Sequence, residues 1–171
     1  MIGDIFLEWA DRYGDYVLLL VPAIAFLEAS VGIGLFVSGA ILLSVCTMLY
    51  TQGIATLYQM LPLAFLGATS ADHIGYFLGR RAGPAFHHTR FAQRYASRLD
   101  KTEQLLTKHG ELSIILGRLI PAVRSVVPLL TGISGLPAAR YTRYDLIACS
   151  VWAGGLGLLV VSIGGLINQA E

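Results

Sequence analysis

Arg118 and Arg124 flank Pro121, and they are the only charged residues between Leu112 and Ala139. A guanidinium at bilayer depth costs roughly 2.5–3.5 kcal/mol on insertion scales, so two in one apolar run imply a task. Pro121 removes a backbone donor and crowds the preceding turn, which predicts a broken helix. Broken backbone at membrane depth is tolerated where it is buried in protein or lines a wet cavity. A guanidinium meets phosphate oxygens in a two-pronged fork. The chemistry these residues predict is capture of an anionic phosphate headgroup in a polar hollow inside the membrane.

The acids that could answer those arginines are few. Glu28 is the only charge between Tyr16 and Ala71. A carboxyl in hydrocarbon must find a cation or a proton. Glu28 is therefore a candidate proton carrier or a partner for Arg118 or Arg124; the plainer alternative is a purely structural ion pair. Asp72 has the same two options, pairing with an arginine or titrating. His73 beside it is read as a satisfied structural histidine. Cys46 and Cys149 sit alone in apolar segments and are read as packing residues, with neither a disulfide framework nor a metal spacing. His87-His88 has no Cys, Asp or Glu at ligand spacing, so no metal site is expected there.

Composition fixes the class of molecule that must hold these side chains. The chain has 171 residues, 55% hydrophobic and 13% charged, with net charge +1. Its mean hydropathy is +0.65. A soluble domain averages nearer 25% charged. The expected class is an all-α integral membrane protein, a single membrane domain over 1–171. No nucleic-acid partner and no cofactor are expected, and no cleaved signal peptide is expected at the start.

The elements follow in chain order. Met1 to Tyr13 places Ile2, Ile5, Phe6 and Trp9 on one face. It reads as a helix in the membrane interface or, alternatively, a solvated helix packed on the bundle. Tyr16 to Tyr50 is too long for one crossing of about 20 residues and too short for two with a turn. Pro22, Glu28, Gly32, Gly34 and Ser38-Gly39 interrupt it, which predicts a re-entrant broken hairpin. Leu57 to Gly79 reads as a full span, with Gly67, Ala71, Gly75, Gly79 and Gly83 four apart as a ridge for helix packing.

Arg80 to Lys108 carries seven Lys or Arg against Asp100 and Glu103, so the loop is expected to be cytoplasmic. Asp100 and Glu103 predict a capping box and a short helix, Lys101 to His109, closed by Gly110. Leu112 to Ala139 is again too long for one span and too short for two. A hairpin that enters and leaves on the cytoplasmic side keeps Arg140 and Arg143 inside, and is the expected path. Tyr144 to Asn168 is a last span, with Asp145 and Trp152 in its first half and Gly154, Gly155, Gly157, Gly164 and Gly165 along it.

Each half then reads as an amphipathic helix, a re-entrant broken hairpin and a glycine-lined transmembrane helix. The expected plan is an inverted repeat, with 1–83 as one unit, 100–168 as the other and 84–99 as the cytoplasmic basic loop between them. In such plans the site lies where the two broken segments meet.

Gly117-Arg118-Leu119-Ile120-Pro121-Ala122-Val123-Arg124, followed by Thr131-Gly132, resembles the R-x-x-P-x-x-R…G signature of the DedA family of bacterial membrane proteins. Asp72 to Arg80 resembles that family's D-x-x-G-Y-x-x-G-R stretch, and Lys108-His109-Gly110 its K-x-G. Glu28 falls at the family's first membrane acid. The resemblance spans roughly residues 25 to 165. It implies a lipid transporter or flippase of the bacterial inner membrane. The implied cargo is undecaprenyl phosphate or a related anionic phospholipid, with transport tied to the proton gradient. By that match Arg118 and Arg124 bind the phosphate, while Glu28 and Asp72 serve proton coupling or ion pairing. One departure stands out: where the family has P-G-E or P-G-D, the matching residues are Ser38-Gly39-Ala40. The second acid is missing, so coupling needs another carrier, such as Asp72 or Asp145, or is absent.

Competing classes are a proton-coupled exporter of a small solute or ion, and a structural membrane-assembly factor. An enzyme is not expected, because no histidine lies near either arginine in sequence and no nucleophile is evident. A homo-oligomer is compatible with this composition.

Overall fold

The computed structural model describes residues 16–83, 93–94, 104, 108, 110–120 and 123–170. The amphipathic start, nearly all of the 84–99 loop, the Asp100–Glu103 capping box, His87-His88 and Pro121 lie outside the described residues.

Among the described residues the chain is helical throughout, with no strand. The helices are α1 (Leu20–Ala29), α2 (Gly39–Thr51), α3 (Leu57–Ala82), α4 (Leu112–Leu119), α5 (Val127–Ile133) and α6 (Ala138–Ala170). Both apolar runs are interrupted as expected, although Pro22 and Glu28, read as part of the first interruption, lie within α1. Between α1 and α2 the backbone passes through Gly32 at φ +85° and a 3-10 turn, Ile33–Leu35. Only glycine takes that φ without strain. Ser30 closes the end of α1 by donating to the Phe26 carbonyl at 2.7 Å. Ser38 then accepts from the Ala40 N–H at the start of α2, a helix N-cap. The run from α4 to α5 is broken between Leu119 and Val127.

α3 opens on a capping box. The Thr56 N–H donates to Gln59 Oε1 at 2.9 Å, while the Thr56 side chain accepts from the Gln59 backbone. α3 then runs unbroken for 26 residues, past Pro62. Gly110, expected as a helix stop, has φ +56°. α6 begins at Ala138, six residues earlier than the sequence reading placed the last span. Pro137 fixes the φ needed just ahead of a helix and needs no donor there. Arg140 and Arg143, taken as flanks, therefore lie in its opening turns. Among the described helices, only Ala138–Ile167 is both long enough and apolar enough to cross a membrane by itself. Large apolar side chains on the surface, among them Phe36, Leu158 and Leu166, face outward as lipid contact would require.

α3 packs chiefly on α1 and α5, and also on α6; α6 also receives α4 and α2. Each broken pair thus rests one limb on α3 and the other on α6. Exchanging α1, α2 and α3 for α4, α5 and α6 leaves this set of packed pairs unchanged.

Glycines make the close approaches. A Cβ on Gly67 would run into the Pro22 backbone, and one on Gly79 into the Leu129 backbone. One on Gly75 would meet Val31 of the first break and Pro128 of α5. The expected ridge is real as far as Gly79. Among the described residues nothing lies within 4 Å of a Cβ on Gly83, which serves instead as the helix C-cap at φ +56°. On α6 the spacing is used only in part: Gly157 abuts Leu61 and Gly164 abuts Tyr50 and Thr51, while Gly154, Gly155 and Gly165 meet nothing within 4 Å.

Two apolar clusters hold the bundle. One joins Val21 and Ala25 to Leu42, Met60 and Val160. The other joins Tyr76 to Ile114, Val123, Val127 and Tyr141. Along α3, Ala71 belongs to the first cluster and Tyr76 to the second. Asp72 stands between them.

Candidate functional site

Glu28 occupies the last turn of α1, where the helix dipole disfavours a negative charge. It is nevertheless buried, at 2% exposure. Arg124, in the break between α4 and α5, is what holds it there: Arg124 Nη1 donates to Glu28 Oε1. Arg118 lies in the last turn of α4, where a cation suits the dipole. Its Nη1 pairs with Asp72 Oδ2 on α3. The sequence left open which acid meets which arginine; the structure joins Glu28 to Arg124 and Asp72 to Arg118.

The four side chains share one small cavity with Ala29 and Trp152. Its volume is about 10 Å³, on the order of a single water. The breaks meet beside it. A Cβ on Gly34 would reach Ser125 Cβ at 3.2 Å. One on Gly39 would stand 2.7 Å from Glu28 Oε1. Polar capacity remains unused in the pairs: among the described residues, Glu28 Oε2, Asp72 Oδ1, Arg118 Nε and Arg124 Nε are buried without a partner. A phosphate carries enough acceptor oxygens to engage both guanidiniums together.

Three further residues join from the last helix. Trp152 lies under Arg118, whose guanidinium carbon is 5.4 Å from the ring centroid, a cation–π contact. Asp145 is 1% exposed and its Oδ1 is 3.9 Å from Arg118 Nη1. Cys149, read from sequence as packing alone, directs its thiol at Asp72 Oδ2 at 3.8 Å. Cys46 is buried in the apolar cluster, as that reading expected. The sequence signal for Asp145 and Trp152 was their polarity within a glycine-rich span, but nothing there tied them to the arginines. His73 is bonded as a structural histidine should be, to the Thr69 carbonyl at 2.9 Å and Thr142 Oγ1 at 3.0 Å. It also stands 3.4 Å from Asp145.

Asp72, Asp145 and Cys149 bring ligand-type atoms within 4.8 Å of one another. The positive charge already in that space is Arg118, which disfavours a divalent ion. The arrangement is better suited to trading a carboxylate for another anion, or a guanidinium contact for a proton.

Residues 37–162 match the VTT domain family. The chain is 30% identical over 137 residues to inner membrane protein YabI of Escherichia coli K12, covering 80% of this chain and 54% of YabI. It is 29% identical over 148 residues to protein DedA of the same organism, covering 85% of this chain and 68% of DedA. An uncharacterized membrane protein of Mycobacterium leprae is 28% identical over 165 residues, covering 92% of this chain and 72% of that protein. The chain therefore spans about half the length of YabI. No solved structure matches.

Proposed function

This chain belongs to the VTT-domain, or DedA, family, and from that premise we propose that it is a multi-pass inner-membrane transporter of anionic lipid. The cargo in this reading is undecaprenyl phosphate or a related anionic phospholipid. The observation that carries it is the convergence of Arg118 and Arg124, each held by a buried carboxylate, on one cavity where two broken helix pairs meet.

In this mechanism the carboxylates stand in for the cargo while the site is empty. Breaking a buried pair by removing one partner costs roughly 3–5 kcal/mol, so the arginines are not released for nothing. An arriving phosphate headgroup replaces Glu28 and Asp72 on the guanidiniums, and protonation of the displaced acids keeps them from being stranded as charges. The cavity is too small for a headgroup as it stands. The breaks must therefore part, one helix pair rocking against the other about α3 and α6. The exchange symmetry of helix contacts supports reading the two units as an inverted repeat, in which the same motion opens the site first to one side and then to the other. No catalytic step is required.

The test is translocation of fluorescent undecaprenyl phosphate and phosphatidylglycerol analogues in proteoliposomes, with and without a pH gradient. Arg118→Ala and Arg124→Ala should abolish it, and Glu28→Gln should uncouple it from the gradient. Wild-type rates in all three variants would remove the mechanism. The water-sized cavity favours one second reading, export of a small ion; pH-driven ion flux without lipid movement would select it.

A further inference from the structure

The paired arginines account for Glu28 and Asp72 but leave Asp145 without a full counter-charge. Among the described residues three carboxylates face two guanidiniums around the site, one negative charge in excess. An uncompensated charge in a low-dielectric interior is strongly disfavoured. Among the described residues, Asp145 is faced by Asp72 and His73 from α3 and by Arg118 from α4, with Tyr141 and Cys149 on its own helix. Of these, His73 alone both reaches the surface, its side chain 25% exposed, and stands within 3.4 Å of the carboxylate.

The bonding of His73 makes it a conductor of protons rather than only a strut. The Thr69 carbonyl can only accept, so Nδ1 carries a hydrogen,. Nε2 faces the Thr142 hydroxyl, which can donate to a bare nitrogen or accept from a protonated one. The same geometry therefore holds the neutral and the charged ring without rearrangement.

We propose that His73 and Asp145 form a proton inlet to the arginine site. A proton from outside the bundle binds Nε2 beside Thr142. The Nδ1 proton then passes to Asp145 Oδ2, and the ring is left as its Nε2–H tautomer; the reverse transfer, Asp145 returning a proton to Nδ1 while Nε2 releases its own to solvent, restores the starting form. Protonated Asp145 no longer draws Arg118, whose guanidinium is then shared between Asp72 and Trp152 alone. Asp145 thus acts as a positioning residue for Arg118. The use of this inlet in transport rests on the function proposed above; the inlet itself does not.

Trp152 supplies a readout that needs no substrate. The chain has two tryptophans, so Trp9→Phe leaves Trp152, against Arg118, as the sole reporter. In nanodiscs, a stopped-flow pH jump on the Trp9→Phe protein should give a fluorescence phase. Asp145→Asn should abolish its amplitude and Asp145→Glu should retain it. His73→Gln should keep the amplitude but slow the phase by about a hundredfold, the lower end for loss of a positioned proton-transfer group. A flat response in the parent protein, an unchanged amplitude in Asp145→Asn, or an unchanged rate in His73→Gln overturns the inlet. Should Asp145→Asn fail to fold, the rate in His73→Gln and the amplitude in Asp145→Glu decide. A protein that shows this phase yet moves no lipid would sink the transport reading and leave the inlet intact. One that moves lipid with the phase unaltered in both variants would do the reverse.

Discussion

Gly39 backs onto the carboxylate that holds Arg124: a methyl group on its Cα would stand 2.7 Å from Glu28 Oε1 and 3.8 Å from Arg124 Nη1. The missing side chain is what lets the start of α2 close over the ion pair. Gly39→Ala should fold, because the atom it meets is the end of a side chain and not backbone. The pair must tilt to admit the methyl group. A penalty of about 1.4 kcal/mol in the paired state reads as roughly a tenfold change in transport rate. Lipid flux in vesicles measures it, and an unchanged rate would mean that the geometry of this pair does not limit transport.

Arg124→Ala and the double variant Glu28→Gln/Arg124→Gln separate the cost of a broken pair from the worth of the pair itself. The single change leaves Glu28 buried with no cation, a loss of about 3–5 kcal/mol. The double change leaves two neutral, polar groups that can bond each other, and should lose far less despite removing more charge. Reversible unfolding in mixed micelles checks both. Equal or additive losses would show that Glu28 finds another partner when Arg124 is gone.

Much of this site was legible before any coordinates, because burying charge is expensive enough to single out its bearers. Arg118, Arg124, Glu28 and Asp72 were conspicuous as isolated charges in apolar runs, and all four converge. The first break was legible from Gly32, Gly34 and Ser38-Gly39; Pro22, read as another interruption, falls in the first turn of α1, where proline is tolerated,. The pairing was not legible, since it depends on which turn of α1 faces the second break, ninety-six positions away. The link of Asp145 and Trp152 to Arg118 was hidden for a related reason: it is the packing of α4 on α6, which no local pattern encodes. The start of α6 was misplaced because Arg140 and Arg143 looked like a boundary, whereas Arg140 is held on the helix by Glu111 at 3.3 Å.

The glycine contacts predict a sharp contrast across three helices. Gly79→Ala and Gly132→Ala each drive a methyl group into a facing backbone, that of Leu129 and of Tyr76 respectively. Backbone cannot swing aside, so each should lose at least about 1–3 kcal/mol, the usual range for overpacking. Gly154→Ala meets open space and should gain about 0.5–1 kcal/mol by restricting the unfolded chain in a helix. Thermal unfolding of the three variants in one detergent tests the order. A destabilised Gly154→Ala would point to a partner on that face.

Tyr76 ties the end of α3 to the turn that launches α6. Its hydroxyl donates to the Leu136 carbonyl and accepts from Arg80 Nη1 at 2.7 Å. Its ring stacks on Tyr141 with centroids 4.3 Å apart. Arg80 also reaches Leu136 O directly, at 3.2 Å, so Tyr76→Phe leaves that carbonyl partnered. It should lose only about 0.5–1.5 kcal/mol, the net worth of one hydrogen bond. Tyr76→Ala removes a wholly buried ring and opens a cavity between α3 and α6, for about 3–5 kcal/mol. Adding Arg80→Gln to Tyr76→Phe strips the Leu136 carbonyl of both donors, and the combined loss should exceed the sum of the two single losses. Strict additivity in that cycle would show the two donors to be independent, and the anchor of α6 would then lie in the Tyr76–Tyr141 stack alone.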